Sequence, residues 1–228
     1  MIVTLTGPSC GGKSTLERAL QDRGFGRAIS HTTRDTRPGE VCGEHYHFIN
    51  DCTFDAMLVR GDFIEVIDLG TRRYAMSSAS LELAARQGNV VIVVEPHGAG
   101  QIHDYCNAHN LPVMGVWIDC GPEEQAKRWL TRTVAELASP PAWSPLRLHN
   151  AVERLGLMLG LEASWRTDAL EFSGPRHHPH MYRYWITSKD IPAESLAEEL
   201  EEVVRRAGVV QSGACEVVSR APLGDTAG

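Results

Sequence analysis

No two of the six cysteines, at positions 10, 42, 52, 106, 120 and 215, form a Cys-x-x-Cys pair or stand at metal-ligand spacing. A chain of 228 residues also has enough core to fold without disulfide staples, so zinc-ribbon and small secreted classes are excluded and a reduced, cytoplasmic setting is expected. Long apolar runs are missing as well. The longest, Val90 to Val94, cannot cross a bilayer, and Met1 to Leu5 is too short for a signal h-region and has no basic n-region. A soluble protein without a membrane partner follows. Positive charge is not in excess: 22 Lys plus Arg face 29 Asp plus Glu, a formal charge of -7, so broad attraction to nucleic acid is not expected. Any anionic ligand must be held by arginines concentrated locally. There is no internal repeat, and 43% hydrophobic residues suit one globular domain, as monomer or homodimer.

What is present is an alternation of β-branched runs with amphipathic, helix-length segments, the pattern of a parallel sheet covered by crossover helices. Core strands are expected near 2–6, 26–30, 90–95, 113–119 and 183–187, which makes the fold class α/β with a five-stranded parallel core sheet. Helices are expected at 13–23, 78–87, 99–109, 122–131, 147–170 and 192–207, three of them stopped by Gly24, Gly88 and Gly208. Residues 31–77 have a different texture, short strands and turns around a helix starting near Thr53, and read as a small insertion at the sheet's carboxyl end. Ala138 to Pro145 is too rich in proline to continue a helix and is expected as a mobile flap. The tail, 211–228, lacks periodicity and is expected to be disordered.

The strongest chemical signal is Gly7-Pro8-Ser9-Cys10-Gly11-Gly12-Lys13-Ser14, which fits G-x-x-x-x-G-K-[ST] between an apolar strand and a helix. Here glycines let backbone N–H groups wrap phosphate oxygens at the positive end of the helix. Lys13 reaches the β and γ phosphates, and the Ser14 hydroxyl is a hard ligand for Mg2+. The expected ATP-binding set is Gly7, Ser9, Cys10, Gly11, Gly12, Lys13, Ser14 and Thr15. A second signal follows in Ser30-His31-Thr32-Thr33-Arg34-Asp35-Thr36-Arg37-Pro38-Gly39-Glu40-Val41-Cys42-Gly43-Glu44-His45-Tyr46-His47-Phe48. Two arginines three apart and a tyrosine nine further on offer planar forks and a phenol hydroxyl to one phosphate. Ten histidines, including His177, His178, His180, His45 and His47, carry no cysteine or carboxylate set at ligand spacing, so no further metal site is expected.

That second stretch resembles the guanylate kinase pattern S-x-T-T-R-x-x-R-x-G-E-x-x-G-x-x-Y-x-F, and the resemblance runs over about residues 1–135. It implies a P-loop NTPase three-layer sandwich, with core 1–29, 78–131 and 155–210, a monophosphate-binding insertion 30–77 and a lid 132–154. It implies transfer of the γ-phosphoryl group of ATP, with Mg2+, to a purine nucleoside monophosphate. By the same carry-over Arg34, Arg37, Tyr46 and Tyr74 surround the acceptor phosphate. Ser30 and Glu65 read the base, Glu95 lies near it, and Lys13, Arg34, Arg132 and Arg154 serve the transfer. One carboxylate at Glu65 matches the two adjacent donors of guanine and mismatches adenine, which presents an acceptor at N1.

Three departures bear on the substrate. Ala75-Met76 follows Tyr74 where the family has glycine and a hydroxyl residue, so Met76 is expected in the acceptor-binding set, at the six-position edge of the base. Val93-Val94-Glu95 keeps the second of two carboxylates and lacks the first. The lid between Arg132 and Arg154 is divergent, which makes Arg147 a rival for the second arginine. GMP or dGMP is the expected acceptor, with a modified purine deoxynucleotide as the alternative. The ribose bisphosphate kinase branch and a non-catalytic guanylate-kinase-like binding module are the other readings. The retained Lys13 and glycines argue against the module, and no Asn-Lys-x-Asp motif supports a GTPase. Among the tryptophans only Trp143, in the flap, is a candidate for stacking on adenine.

Overall fold

The computed structural model describes residues 1–36, 39–68, 70, 72–138, 149, 152, 155–156, 182–188, 191–209 and 218–219. Its centre is β1 (Ile2–Thr6), every residue of which is buried. Strand β1 lies between β7 (Val90–Val93) and β8 (Val113–Asp119), parallel to both, with Ile2 opposite Val90 and Val113. A strand flanked on both sides and covered on both faces has no solvent side, which is why this run does not alternate. The sheet continues outward with β2 (Gly26–Arg27) beside β7, and with β9 (Tyr182–Thr187) and β10 (Val218–Ser219) beyond β8, all parallel.

Helices close both faces. On one, α1 (Lys13–Asp22) and α6 (Ala193–Val209) bring Leu16, Leu20, Ala197 and Leu200 against Val3, Leu5, Val116 and Ile118. On the other, α3 (Ser78–Gln87) and α4 (Pro96–Ala108) bring Leu81, Ala99 and Ile102 against Ile2, Val90 and Ile92. The result is a three-layer α/β sandwich, and α5 (Pro122–Ala138) follows β8.

Several boundaries differ from expectation for identifiable reasons. The sheet has six strands rather than five, because Val218 and Ser219, in the tail expected to be disordered, pair with Tyr184 and Trp185 on the open edge of β9. Helix α4 starts at Pro96, three residues early, since proline's fixed φ suits the first helical position and its missing N–H has no partner to lose there. Helix α5 runs to Ala138, so Arg132 is helical rather than the first residue of a loop. Strand β2 stops at Arg27 because the chain then leaves for a second sheet. The expected helix 147–170 lies mostly outside the described residues, which are helical at 149, 152, 155 and 156.

The second sheet comes from the insertion. Its order is β4 (His47–Phe48), β3 (His31–Thr32), β6 (Arg73–Ser77), β5 (Phe63–Asp68), with β6 antiparallel to both neighbours. Its one helix, α2 (Asp51–Arg60), begins where the Asn50 side chain accepts the Thr53 N–H at 2.8 Å and ends at Gly61, φ 73°. Phe54 of α2 is fully buried, 4.8 Å from the Phe63 ring, and gives the insertion a small core of its own. Phe63 opposes Ser77 while Glu65 opposes Met76, so β5 carries one extra residue there. Such a bulge turns a strand's side chains, and here it sits beside Glu65.

Candidate active site

The phosphate loop is held by contact with the end of β8. A Cβ on Gly7, φ 138°, would lie 1.9 Å from the Ile118 carbonyl oxygen, so nothing larger than hydrogen fits. Lys13 folds back over the loop and its Nζ donates to the Gly7 and Pro8 carbonyls at 2.7 and 2.8 Å. Those bonds hold the ammonium at the loop's own carbonyls. Of the expected ATP-binding residues, Ser9, Cys10, Gly11, Gly12, Lys13, Ser14 and Thr15 line a cavity of about 640 Å³, and Gly7 lies under it against β8. Arg132 lines the same cavity from α5.

Two residues that the sequence did not single out brace this loop. Ser188, just after β9, donates its hydroxyl to the Gly11 carbonyl at 2.6 Å and its N–H to the Asp119 carbonyl at 2.7 Å. Arg128 on α5 reaches the Cys10 carbonyl at 3.4 Å, the Ser188 hydroxyl at 3.2 Å and the Ser188 carbonyl at 3.0 Å, while its Nε donates to Glu124 at 2.8 Å. One signal for Arg128 was available. It precedes Arg132 by one helical turn and so shares its face of α5. Ser188 had none, because its partner lies 177 residues away in sequence.

The acceptor residues gather on the second sheet. Arg34 donates from both Nη atoms to Glu40, at 2.7 and 2.6 Å, and from Nη1 to the Asp35 carbonyl at 2.8 Å. Its guanidinium lies 5.1 Å from the Tyr46 ring centre and 5.3 Å from that of Phe48. Bonds to Glu40 and Tyr74 hold it in its charged form. Tyr46 and Tyr74 stand 5.8 Å apart, and burial raises the Tyr46 hydroxyl's pKa, with Tyr74 adding to the effect. Beside them His31, 8% exposed, has no partner at Nδ1 and faces His47 at 4.7 Å. Burial first and His47 second hold its pKa down at about 4, so it is neutral.

Glu65 is the most unusual of these groups. It is 6% exposed, and its Oε2 has no hydrogen-bond partner. Burial pushes its carboxyl up to about 7, with Glu95 a second cause. A Cβ on Gly98, in the first turn of α4, would come within 3.1 Å of that oxygen, so the glycine is what admits the carboxylate here. Glu95, half-buried, is the residue before α4. Ser30 is half-buried, and its carbonyl accepts the His47 N–H at 2.9 Å.

Met76 sits elsewhere. It is 1% exposed and packs in the core with Ile2, Leu81 and Ile102. Ser77, the nearest hydroxyl, caps α3 by accepting the Ser80 N–H at 3.2 Å. Arg37, Arg147, Arg154, Trp143 and the flap after Ala138 lie outside the described residues, and Ala138 itself ends α5.

A parallel sheet whose first strand leads through a glycine-rich phosphate loop into a helix defines a P-loop NTPase domain. The crystal structure of guanylate kinase from Anaplasma phagocytophilum shares this fold, with a TM-score of 0.57 and 20% identity over 92% of this chain and 87% of that one. The family model described as guanylate kinase matches residues 1–137, and the chain belongs to the guanylate kinase family. Among curated relatives, guanylate kinase of Cupriavidus metallidurans is 42% identical over 125 residues, 53% of this chain and 58% of that protein. Guanylate kinase of Alkalilimnicola ehrlichii is 32% identical over 135 residues, 58% and 64% of the two chains. The matches thus span less than two thirds of these relatives' length. Among the described residues no helix is long and apolar enough to cross a membrane, and no three metal-ligating side chains cluster.

Proposed function

We propose that this protein transfers the γ-phosphoryl group of ATP to GMP or dGMP, giving the diphosphate. The observation that carries the reading is Glu65: a buried carboxyl with an unpartnered oxygen is costly unless something completes it, and guanine's N1–H and 2-amino group supply two adjacent donors. Adenine offers an acceptor at N1 and leaves the carboxylate unmatched.

Each remaining group then has a task. The loop amides hold the β and γ phosphates, and Lys13, already above the loop, supplies a positive charge beside them. Arg34, its plane fixed by Glu40, presents further N–H donors with Tyr46 and Tyr74 to the acceptor phosphate, whose oxygen is the nucleophile. No side-chain nucleophile is needed, so positioning and charge neutralisation carry the reaction. Arg132 reaches the donor cavity from α5, and Arg154 or Arg147 is the candidate second arginine. Mg2+ suits this donor set, since it binds largely through phosphate oxygens and water and needs from the protein little more than the Ser14 hydroxyl. When bound, it neutralises charge on the β and γ phosphates.

A second acceptor, a purine deoxynucleotide altered at its six position, is favoured by one feature. Met76 lies in the core and Ser77 caps a helix, which leaves no β6 side-chain donor committed to a six-carbonyl. Diphosphate formation from GMP, dGMP, AMP, dAMP and 2-aminopurine nucleotides, with ATP and Mg2+, tests both readings. Preference for GMP or dGMP supports the first, preference for 2-aminopurine nucleotides supports the second, and preference for AMP overturns the role of Glu65.

A further inference from the structure

The described arginines of the insertion differ in how their charge is met. Arg34 is paired with Glu40, Arg60 with Asp62, and Arg73 with Asp51 and Asp55. Arg72 has no such partner. It is half-buried, just before β6, with no ion pair among the described residues, and its enclosed Nε has no hydrogen-bond acceptor. A buried cationic donor left unbonded is costly, so this one calls for an anion.

Strand register says where that donor lies. In the antiparallel pairing of β3 with β6, Thr32 opposes Tyr74, and the pairing runs on past the end of the strands. The Thr33 N–H donates to the Arg73 carbonyl at 3.1 Å, and the Arg73 N–H to the Thr33 hydroxyl at 3.0 Å. Continuing the register by one residue sets Arg34 opposite Arg72, and the alternation of a strand places both on the face that carries Thr32 and Tyr74. Tyr46 and the Arg34 guanidinium meet at that end of the sheet. Glu65 opposes Met76, four residues along β6 from Arg72 and so roughly 13 Å away.

We infer that Arg72 is a phosphate-binding residue of the acceptor site, gripping the 5′-phosphate of the acceptor nucleotide beside Arg34. This rests on the reading that the insertion holds a nucleoside monophosphate. Two guanidinium groups side by side repel each other, and only one of them has a carboxylate. Arg34 with Glu40 is close to neutral as a pair, and the hydroxyls of Tyr46 and Tyr74 add hydrogen-bonding groups without positive charge. A phosphate monoester brings up to two negative charges. Among the described residues of the cluster, Arg72 is the one whose charge nothing offsets, so it supplies the attraction that Arg34 has already given to Glu40. Phosphate binding relieves the repulsion and completes the Nε. Arg72 thus reads the phosphate end of the acceptor, while Glu65 reads the base.

Titration calorimetry of the full chain with GMP, guanosine and ATP tests this without relying on turnover. In Arg72→Gln the Kd for GMP should rise about tenfold to hundredfold, while those for guanosine, which lacks the phosphate, and for ATP stay within about twofold. Arg72→Lys keeps the charge without the fork and should recover part of the loss. Thermal unfolding of ligand-free Arg72→Gln should come no lower than in the parent, because no hydrogen bond or ion pair among the described residues is lost. An unchanged Kd for GMP in Arg72→Gln, with the parent binding GMP more tightly than guanosine, overturns the role of Arg72 and leaves the proposed function standing. Equal weakening of GMP and guanosine with a lowered Tm marks a structural arginine and overturns that role as well. A parent that binds GMP no better than guanosine overturns the reading of the insertion itself, and the role of Arg72 falls with it.

Discussion

The donor and acceptor sides are built on opposite principles. The donor side is main chain: a loop wedged against Ile118, braced by Ser188 and Arg128, with Lys13 resting on the loop's own carbonyls. The acceptor side is side chain: Arg34, Tyr46 and Tyr74 on a four-stranded sheet, with Glu40 neutralising the arginine and Glu65 left incomplete. Main-chain amides carry no titratable charge and cannot change rotamer, so the donor side is formed before its ligand arrives. Side-chain charges in a small sheet must balance each other meanwhile. Only the acceptor side therefore stores an unfavourable group that binding relieves.

The largest effect that could break this contrast is at Lys13. Replacing it with methionine should lower kcat by about 10²–10³-fold or more while thermal unfolding changes little, because the rest of the loop is held elsewhere. Turnover within about tenfold of the parent would remove the donor side from the chemistry. Next is Glu65→Gln. The amide presents only one acceptor to guanine's paired donors, and kcat/KM for GMP should fall about 10²-fold in steady-state assays.

Stability should move the other way in that variant. Glu65's folded pKa, about 7, stands above its ordinary 4.5, so the folded state holds the proton more tightly than the unfolded chain does. Raising the pH from about 4.5 to about 7 then removes stability, on the order of 3 kcal/mol at most, and no further loss follows above that window. Glu65→Gln lacks this loss and should be the more stable protein at pH 8. Urea unfolding at pH 5 and pH 8 measures the difference. A parent whose stability does not fall relative to the variant over that range would mean that Glu65 is not stored as an unmatched charge.

How legible each side was in the sequence follows from the same contrast. The phosphate loop is local, eight consecutive residues between a strand and a helix, and its placement follows from the motif. Strands β1 and β8 were equally plain, since buried β-branched runs announce themselves. The acceptor cluster spans residues 34–74; the spacing of Arg34 and Tyr46 already suggested one phosphate, but Tyr74 joined them only through a family resemblance that covers it. Long-range contacts left no trace. Ser188 meets Gly11 and Cys120 meets Cys10 because β8 and β9 end beside the loop, a fact of sheet order rather than of spacing. The burial of Met76 was illegible for a related reason. Its sequence position matches a base-facing hydroxyl, yet an unbranched apolar side chain next to the core turns inward.

Two smaller effects sharpen the comparison. Glu40→Ala releases the Arg34 guanidinium from the plane set by its paired bonds and should raise the acceptor KM about tenfold, with ATP KM unchanged. An equal rise in both constants would show that the insertion does not act on its own ligand alone.

The smallest effect belongs to Ser188→Ala. The hydroxyl's bonds to the Gly11 carbonyl and from Arg128 are both lost, while Arg128 still holds the Cys10 and Ser188 carbonyls, so on the order of 1 kcal/mol of loop positioning goes. ATP KM should rise about fivefold, and acceptor KM should stay where it was. If the acceptor constant rises in step, the loop and the second sheet behave as one body, and the division between a preformed main-chain site and a charge-balanced side-chain site no longer describes this protein.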